Sequence, residues 1–393
     1  MDLPTLQDTY VAKKRVLVRT GFDVPIDEKG NILDDTRICI SVPTIKYLLE
    51  HGAEQVVVMT HIGRPKEKER TLMTDKLAAR LGELLGSGNE VTKIEDFGEN
   101  GIPDPKVDRI VMLENLRFDP REKSKDKAER DEFGKQLAGL ADLYVNDSFS
   151  TCHRDHASMT SVPKFLPGCA GLSVEEEVKT IHRAIDSPER PFVSIIGGVK
   201  ADKLNAVANL LDRVDKILIA GALAFTLLKQ FGKEVGKTKV DMEGLAEFKE
   251  TLEKIKDNPK VILPTDCVLA DKFDAEAESK QASVDDIDPD WMALDIGPET
   301  ISRFRDELCR AKTIVWNGPI GVFEFERFST GTEEIARALA GCDATTVVGG
   351  GDSGAAVEKL NLKDKMTLVS SGGGASLKMF EGKELVALKA LKK

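Results

Sequence analysis

The sequence contains no apolar run of about 18 residues, the length that a bilayer-spanning helix requires. Its first residues, Met-Asp-Leu-Pro, are not a basic segment followed by an apolar stretch, so we expect no signal peptide. Basic residues do not dominate either, because 56 lysines and arginines stand against 67 aspartates and glutamates, for a net charge of −11. This balance argues against a nucleic-acid or membrane-surface partner. We therefore expect a soluble, cytoplasmic protein.

Cysteine is scarce as well, and none of the six residues forms a C-x-x-C or C-x-H pair. Their scattered positions argue against a zinc site and against a disulfide framework, and they fit a reducing compartment. The six are Cys39, Cys152, Cys169, Cys267, Cys309 and Cys342.

Apolar residues occur in short runs that are rich in β-branched side chains and often end at Gly, Asn or Asp. The runs are nearly all apolar rather than alternating, which is typical of strands buried on both faces of a parallel sheet. Helix-period segments such as 75–85 and 204–214 lie between several of them, which predicts an α/β architecture. The predicted strands cover residues 15–19, 55–60, 109–113, 143–145, 192–196, 216–220, 261–264, 313–316, 345–348 and 367–370.

About ten strands fit two sheets better than one, and a length of 393 residues predicts two or three domains. The pattern breaks at 163–171, where Pro and Gly flank a short apolar stretch. A helix start follows, with Ser173 as the N-cap and Glu176 three residues later, and this helix is predicted to run to about Ile185. We interpret it as a connector between two α/β lobes; the alternative is a surface helix of a single domain.

Two glycine-rich turns near the C-terminus carry the strongest chemical signal. Glycines 349–351 follow a predicted buried strand and precede a helix-forming stretch, and glycines 372–374 repeat the arrangement. Glycines at such a turn let the backbone approach an anion, which the free N–H groups of the next helix then bind. Asp352 is a carboxylate beside this anion site, which suggests a Mg²⁺ ion held between it and a phosphate. The alternative is that these are tight turns without a ligand.

A third strand-to-helix turn, at glycines 197 and 198, carries two lysines. Lys200 and Lys203 are predicted to lie on one face of the following helix, near its start. Cations there oppose the helix dipole, so a function explains them better than stability does. Residues 232–238 (GKEVGKT) resemble a P-loop, but the spacing is one residue short and the segment follows a helical stretch.

In the first half of the chain, basic residues cluster at the ends of predicted strands. If these strands are parallel, their ends meet at one edge of the sheet and form a pocket for a multiply charged anion. Arginine suits such a pocket because its planar fork binds phosphate and carboxylate in a bidentate manner. A solvated surface charge explains any single arginine better, but it does not explain the whole set. The residues are Arg19, Arg37, His61, Arg64, Arg117, His153 and Arg154.

Taken together, these segments resemble the phosphoglycerate kinase family, and the resemblance runs from about residue 15 to residue 382. The order and spacing of the motifs match that family. The most specific motifs are DDTRI at 34–38, HIGRP at 61–65, LENLRF at 113–118, TIVWNGPIGVFE at 313–324, GGGD at 349–352 and GGGAS at 372–376.

The resemblance implies two Rossmann-like lobes with mostly parallel sheets. The acceptor-binding lobe would comprise residues 1–171 with the C-terminal segment 383–393. The nucleotide-binding lobe would comprise 172–382 and would include the hinge helix 173–185. The family acts on ATP or ADP with Mg²⁺ and on 3-phosphoglycerate or 1,3-bisphosphoglycerate, and we expect a monomer.

The resemblance also implies the site residues. The acceptor would be held by Asp23, Arg37, His61, Gly63, Arg64, Arg117, His153 and Arg154. The nucleotide would lie near Lys200, Lys203, Gly221, Gly297, Asn317, Pro319, Glu324, Gly350, Gly351, Asp352 and Ser353. Within this set, Glu324 would hold the ribose and Asp352 the metal. The groups expected to act on the transferred phosphoryl group are Arg37, Lys200, Gly351 and Gly373.

The chemistry implied is compatible with this inventory. A carboxylate acceptor is already ionised at neutral pH, with a reference pKa near ~4, so no general base is required. Transfer then depends on positioning and on neutralising charge on the equatorial oxygens. Sites on separate lobes require closure, which also excludes water from the acyl phosphate product.

The sequence departs from the family pattern at several positions. The first loop reads RTGFDVP where the family commonly has RVDFNVP, so Gly21 replaces an Asp and Asp23 an Asn. Positions 21 and 23 face the same side of an extended segment, so we hypothesise that the carboxylate has moved two places and still meets a substrate hydroxyl. Lys200 and Lys203 are three residues apart instead of four, and Asp155 replaces a small residue. Cys152 also replaces a small residue, and the usual GGGMA reads AGALA at 220–224.

Three alternative functions remain at this stage. The first is a kinase of the same fold that acts on another small carboxylate. The second is a non-catalytic nucleotide-binding protein. Loss of Arg37, Lys200 or Asp352 would have favoured it, but all three residues are present. The third is an NAD-dependent dehydrogenase, which the missing dinucleotide fingerprint disfavours.

Overall fold

The structure, a computed structural model, describes residues 3–96 and 101–392. The chain divides into two compact units. The first unit extends to Val178 and includes the C-terminal segment from Glu384, and the second comprises Lys179–Lys383. Each unit is built on a six-stranded sheet.

The first unit contains a parallel sheet with the strand order β3-β4-β2-β1-β5-β6. Its four long strands are almost wholly buried, because helices cover both faces of a parallel sheet. The strands are β1 (Arg15–Thr20), β2 (Gln55–Met59), β3 (Thr92–Ile94), β4 (Ile110–Leu113), β5 (Leu143–Asp147) and β6 (Gly168–Ala170). The helices are α1 (Thr36–Glu50), α2 (Asp75–Leu85), α3 (Lys127–Ala138), the first half of α4 (Leu172–Asp186) and α12 (Val386–Leu391).

The second unit contains a six-stranded parallel sheet and a separate three-stranded antiparallel sheet. Its strands are β7 (Phe192–Ile196), β8 (Lys216–Ile219), β9 (Val261–Ile262), β10 (Asp266–Ala270), β11 (Ser279–Ser283), β12 (Met292–Ile296), β13 (Thr313–Asn317), β14 (Thr345–Gly349) and β15 (Leu368–Val369). The parallel sheet has the order β15-β14-β13-β7-β8-β9, and the small sheet has the order β11-β10-β12.

Seven helices follow α4 in the second unit. They are α5 (Leu204–Leu210), α6 (Gly221–Gln230), α7 (Lys249–Ile255), α8 (Pro298–Arg310), α9 (Thr330–Gly341), α10 (Gly351–Lys359) and α11 (Gly373–Phe380). Three of them begin at a glycine directly after, or close after, a strand of the parallel sheet. The core of this unit forms around the fully buried side chains of Trp316 and Phe304.

The predicted α/β architecture with two mostly parallel sheets is confirmed, and each of the ten predicted strands is present. The small antiparallel sheet was not predicted. Its strand β11 has the sequence SKQAS and is largely exposed, so it shows no apolar pattern. Strands β3 and β6 were also missed, since each has only 3 residues.

Helix α4 confirms the helix predicted after the break, but its start differs. It begins at Leu172, so Ser173 lies inside the first turn rather than before it. The hydroxyl of Ser173 donates to the Asp147 carboxylate at 2.7 Å, and its backbone N–H donates to the same oxygen at 3.1 Å. The carboxylate at the end of β5, rather than the predicted capping box, therefore binds the start of this helix.

Candidate active site

The predicted anion-binding residues of the first unit follow neighbouring parallel strands. Asp23 comes after β1, His61 after β2, Arg117 after β4 and His153 after β5. Since β4, β2, β1 and β5 are consecutive in the sheet, their carboxyl ends form one edge. Ligands in open α/β sheets bind at this edge.

Asp23 lies at the centre of this edge and organises its neighbours. Its Oδ1 accepts the backbone N–H of Gly63 at 2.8 Å, and its Oδ2 lies 3.5 Å from Nε2 of His61. Its backbone carbonyl accepts Nη1 of Arg37 at 2.9 Å. Burial acts to raise the pKa of Asp23, but the contacts with His61 and Gly63 outweigh it and lower the pKa to about 2. The group is therefore a carboxylate at neutral pH.

His61 is buried, with 4% of its surface exposed. Burial lowers its pKa to about 4, and the positive charges of Arg19 and Arg117 act in the same direction against the opposing effect of Asp23. The imidazole is therefore neutral at pH 7 and acts as a hydrogen-bonding group rather than a cation.

The remaining basic residues of the cluster differ in exposure. Arg117 is half-buried, and its Nη1 donates to the backbone carbonyl of Gly63. Arg37 and His153 are half-buried, whereas Arg64 and Arg154 are exposed. The structure thus places Arg37, His61, Gly63 and Arg117 around Asp23.

Arg19 does not join that pocket, which corrects its assignment to the anion-binding cluster. It is fully buried, and its guanidinium is used inside the unit. Its Nε donates to Ser158 Oγ at 2.9 Å, and its Nη2 donates to His61 Nδ1 at 2.7 Å. The physical reason is its place inside β1, where the side chain points into the protein rather than out from the strand end.

In the second unit, the two predicted glycine-rich turns lie side by side. Gly350 has a positive φ of 106° and precedes α10, which begins at Gly351. A Cβ on Gly373, the first residue of α11, would lie 3.1 Å from the backbone nitrogen of Gly351. Two helix N-termini therefore meet at the ends of the adjacent strands β14 and β15, and their N–H groups can bind one polyanion.

Asn317, at the end of β13, links these turns to the lysine turn. Its Nδ2 donates to the carbonyl of Gly349 at 3.0 Å, and its Oδ1 accepts Nζ of Lys203 at 3.2 Å. Ser353 is buried, and its Oγ accepts the backbone N–H of Gly318 at 3.2 Å. Three of the predicted nucleotide residues, Lys203, Asn317 and Ser353, therefore lie together at one edge of the parallel sheet.

The two lysines do not share a helix face, contrary to the prediction. Lys200 is exposed and has an extended backbone, a short 3₁₀ turn covers Ala201–Lys203, and α5 begins only at Leu204. The tighter turn points Lys203 inward, towards Asn317. Burial lowers the pKa of Lys203 to about 8, against the opposing effect of Asp352 and Asp202.

Glycine is required where the backbones of this edge approach one another. Gly221, the first residue of α6, has a φ of 65°, and a Cβ there would lie 2.5 Å from the nitrogen of Gly198 and 3.0 Å from the carbonyl of Pro319. Gly297 differs, because it follows β12 of the small sheet and is crowded by a side chain, the carboxylate of Asp266, which accepts the N–H groups of Glu299 and Thr300 at the start of α8.

Asp352 and Glu324, the two acidic residues of the predicted nucleotide site, are exposed. Asp352 is the second residue of α10, beside the N–H groups of Gly350 and Gly351. No group of three or more possible ligands occurs within residues 3–96 and 101–392, so this part of the chain has no all-protein metal cage. One exposed carboxylate fits Mg²⁺, which keeps several waters and is usually held by one or two carboxylates and substrate phosphates.

Comparisons with known proteins agree with this geometry. The family model for phosphoglycerate kinase matches residues 6–383. The chain is 45% identical over 394 residues to phosphoglycerate kinase of Roseiflexus sp. (strain RS-1), covering 98% of each chain. It is 45% identical over 402 residues to that of Thermosipho africanus (strain TCF52B), covering 100% of this chain and 98% of the other. The chain belongs to the phosphoglycerate kinase family.

The fold supports the same assignment. The solved structure of phosphoglycerate kinase from Coxiella burnetii matches with a TM-score of 0.87 at 35% identity, covering 99% of this chain and 98% of that chain. Full-length likeness to phosphoglycerate kinases supports glycolytic phosphoglycerate kinase activity, so the chain is an enzyme, a kinase and a transferase. The resemblance found in the motifs is confirmed, and nothing in these comparisons favours a same-fold kinase for another acceptor.

Two departures from the phosphoglycerate kinase pattern have a structural context. Asp155 pairs with Arg130, whose Nη2 lies 2.7 Å from its Oδ2, and its Oδ1 accepts Thr160 Oγ1 at 2.6 Å. It therefore pairs with an arginine of α3. At Gly21, a Cβ would lie 3.2 Å from both Ser148 Oγ and Ser150 Oγ, so two hydroxyls occupy the space beside this residue.

Sequence reasoning missed the buried partners behind the phosphoglycerate kinase site. Glu122 and Ser158 are each fully buried; they contact one another, and Ser158 also contacts Arg19, from distant positions in the chain. Asp147, at the end of β5, binds the start of α4. Asp266, at the beginning of β10, binds the start of α8. No periodicity or motif marks such contacts, because the partners are up to 139 positions apart.

Proposed function

We propose that the chain catalyses reversible transfer of the γ-phosphoryl group of ATP to the carboxylate of 3-phosphoglycerate, giving ADP and 1,3-bisphosphoglycerate. One observation carries this proposal: each unit has one sheet edge built for anions. The edge in the first unit is formed by cationic side chains and an imidazole, and the edge in the second is formed by helix N-termini and a half-buried lysine.

In the acceptor half, we assign 3-phosphoglycerate to the edge around Asp23. Arg37 and Arg117 are half-buried cations, and Arg64 and Arg154 are exposed ones that a phosphate can recruit. Neutral His61 adds hydrogen bonds without adding charge, and we assign the half-buried His153 to the same edge. We assign Asp23 to a hydroxyl of the acceptor, since a carboxylate would repel its phosphate and its carboxyl group.

In the nucleotide half, we assign the phosphates of ATP to the paired turns. The N–H groups of Gly350, Gly351 and Gly373 lie there, and Lys203 supplies a half-buried cation whose position Asn317 fixes. The rest of the nucleotide would lie against Gly221, Gly297, Pro319 and Glu324. The crowding at Gly221 supports this assignment, because only a glycine leaves the backbone of that turn accessible at such close approach.

We assign Mg²⁺ to Asp352, whose exposed carboxylate at the start of α10 fits a magnesium–phosphate complex. When bound, the ion would neutralise negative charge on the transferred phosphoryl group. The chain's own contribution is the fixed N–H groups of Gly351 and Gly373 together with the cations Lys200 and Arg37.

No proton transfer is assigned to any side chain, because the acceptor carboxylate is already ionised at neutral pH. The chain binds both reactants, aligns the carboxylate oxygen with the γ-phosphorus, and offsets charge on the equatorial oxygens. In-line transfer requires the two reactants to meet in a space without water, so we propose that lobe closure precedes it. Water would otherwise hydrolyse the acyl phosphate.

The experiment is an ATP-dependent assay with a panel of small carboxylic acids, run with Mg²⁺ and with a chelator. We expect product only with 3-phosphoglycerate and only with the metal. Two variants test the acceptor site and the nucleotide site separately. Arg37→Met should raise the KM for the acceptor, and Asp352→Asn should raise the concentration of Mg²⁺ that is required. Turnover of another acid at a higher kcat/KM would refute the assigned acceptor.

We infer that the enzyme works in the cytoplasm as a monomer. All six cysteines are free thiols, which a reducing compartment favours. No helix in the described ranges is long and apolar enough to cross a membrane. Sedimentation across a hundredfold range of protein concentration tests the monomer, and a concentration-dependent mass would refute it.

A further inference from the structure

A chain of buried polar groups lies behind the acceptor site, outside the residues assigned to substrate. Glu122 and Ser158 are fully buried and joined by two hydrogen bonds, from Ser158 Oγ at 2.7 Å and from its backbone N–H at 3.0 Å. Ser158 Oγ also accepts Nε of Arg19 at 2.9 Å, and Arg19 Nη2 lies 2.7 Å from His61 Nδ1. These hydrogen bonds therefore link the buried carboxylate of Glu122 to the imidazole of His61 in the acceptor site.

The direction of the last hydrogen bond follows from the chemistry of its partners. A guanidinium has only donors, so Arg19 must donate and His61 Nδ1 must accept. An imidazolium has protons on both nitrogens and cannot accept. His61 is therefore neutral, with its single proton on Nε2.

The proton on Nε2 faces the acceptor site. Nε2 of His61 lies 3.5 Å from Oδ2 of Asp23, on the side opposite the nitrogen that binds Arg19. A neutral imidazole in this tautomer offers one hydrogen-bond donor to an anion or a hydroxyl there. The other tautomer would present a lone pair to the anion and repel it.

Arg19 needs a counter-charge to remain at this position, because an isolated buried cation is costly. Glu122 supplies it through the hydroxyl of Ser158. Burial raises the pKa of Glu122, and the charge of Arg19 and the hydrogen bonds from Ser158 oppose that effect. Tyr144 fixes the same serine from the sheet, since its hydroxyl donates to the Ser158 carbonyl at 2.9 Å.

We propose that Arg19, held by Glu122 through Ser158, is a positioning residue that keeps His61 as a neutral Nε2–H donor towards the phosphoglycerate acceptor. This inference rests on the acceptor site assigned above. It differs from a purely structural role for the buried pair, because it ties the pair to the protonation state of one imidazole.

The tautomer is measured directly by long-range ¹H–¹⁵N correlation NMR of protein labelled in its histidine rings. The chain has only 5 histidines, so the His61→Asn variant assigns the His61 signals by their loss. At pH 7 and without ligand, we expect His61 to show a protonated Nε2 and an unprotonated, hydrogen-bonded Nδ1. A protonated Nδ1, or an imidazolium, would overturn the proposal.

The Ser158→Ala variant breaks the link between Arg19 and Glu122 with little change in volume. We expect His61 to lose its single tautomer and the KM for 3-phosphoglycerate to rise about 10-fold, with the KM for ATP unchanged; tenfold corresponds to about 1.4 kcal/mol. The matched control is Thr160→Val, two residues away on the same turn, whose hydroxyl binds Asp155 instead. The control should keep the His61 spectrum and both KM values.

A second variant covers the case in which Ser158→Ala fails to fold. Arg19→Met with Glu122→Gln removes both charges together, so no buried charge is left alone. It should give the same mixture of His61 tautomers. An unchanged His61 spectrum in either folded variant would refute the positioning role. Because the spectrum is recorded without ligand, an intact Nε2–H tautomer in a protein inactive on 3-phosphoglycerate would refute only the proposed function.

Discussion

The carboxylate of Asp23 accepts the backbone N–H of Gly63 at 2.8 Å and so joins the loops that follow β1 and β2. The carbonyl of the same glycine accepts the guanidinium of Arg117, which follows β4. The backbone of Gly63 therefore connects the loops that follow β1, β2 and β4. The position at which this chain departs from the usual phosphoglycerate kinase loop is thus a structural centre of the acceptor site.

The Asp23→Asn variant tests what that carboxylate does for the substrate. We expect the KM for 3-phosphoglycerate to rise by about 10- to 100-fold, because a hydrogen bond to a charged group contributes about 1.5–3 kcal/mol. Steady-state kinetics with varied acceptor measure it. Glu28→Gln, which changes an exposed carboxylate of the same loop, serves as the control. An unchanged or lower KM in Asp23→Asn would show that the carboxylate does not meet a substrate hydroxyl.

Restoring the family's aspartate by Gly21→Asp should lower kcat/KM rather than raise it. The new Cβ would lie 3.2 Å from Ser148 Oγ and from Ser150 Oγ, so the side chain would displace both hydroxyls. Combining the change with Ser148→Ala and Ser150→Ala should recover most of the loss, because the crowding atoms are gone. The prediction is checked by measuring kcat/KM for 3-phosphoglycerate in the single and triple variants, with the Ser148→Ala/Ser150→Ala double variant as the control. Equal losses with and without the serine changes would contradict the steric explanation.

Lys203 predicts a pH dependence of nucleotide binding. Burial holds its pKa at about 8, so its ammonium is present below that pH and is lost as the pH rises through it. In Mg²⁺-containing buffer, we expect the affinity for ATP to fall between pH 7 and about 9. Calorimetric titration at several pH values measures the fall.

Lys203→Arg provides the comparison for that measurement, because a guanidinium stays charged throughout the range. Its ATP affinity should be nearly constant from pH 7 to about 9. Lys200→Met, at the exposed lysine of the same turn, should lower kcat while keeping the pH dependence of ATP binding. A profile for Lys203→Arg that falls as steeply as that of the unchanged enzyme would assign the titration to another group.

Asp295 predicts a pH dependence of stability. It is buried in β12, and burial raises its pKa to about 7 although the N–H groups of Gly331 and Ile296 donate to it at 2.7 and 2.9 Å. The folded chain therefore holds a proton that the unfolded chain releases near pH ~4. The unfolded state binds fewer protons in this window, so stability should fall as the pH rises from about 4 to 7.

Asp295→Asn removes that titration. Urea unfolding at pH 5, 6 and 7 should show a flatter pH dependence for the variant, with lower stability at pH 5 because an amide has only one acceptor oxygen. Asp286→Asn, at an exposed carboxylate of the same unit, should leave the slope unchanged. The same slope in Asp295→Asn and the unchanged chain would contradict the prediction.

The sequence alone determined the α/β architecture with two parallel sheets, and it supplied the candidate site residues. Buried parallel strands appear as unbroken apolar runs, so ten strands and the two parallel sheets were predicted correctly. Glycine turns at 349–351 and 372–374 can also be recognised from local sequence, because conformational freedom and strand ends are local properties. A strand such as β11, with SKQAS and exposed side chains, carries no such signal.

Only the tertiary structure decided how the charged residues are used. Arg19 is one of several similar basic residues in the sequence, yet the fold buries it between Ser158 and His61. Lys200 and Lys203 are three positions apart, yet a 3₁₀ turn leaves Lys200 exposed and Lys203 half-buried beside Asn317. Protonation states and hydrogen-bond partners depend on burial and on groups far apart in the chain, and folding alone brings those groups together.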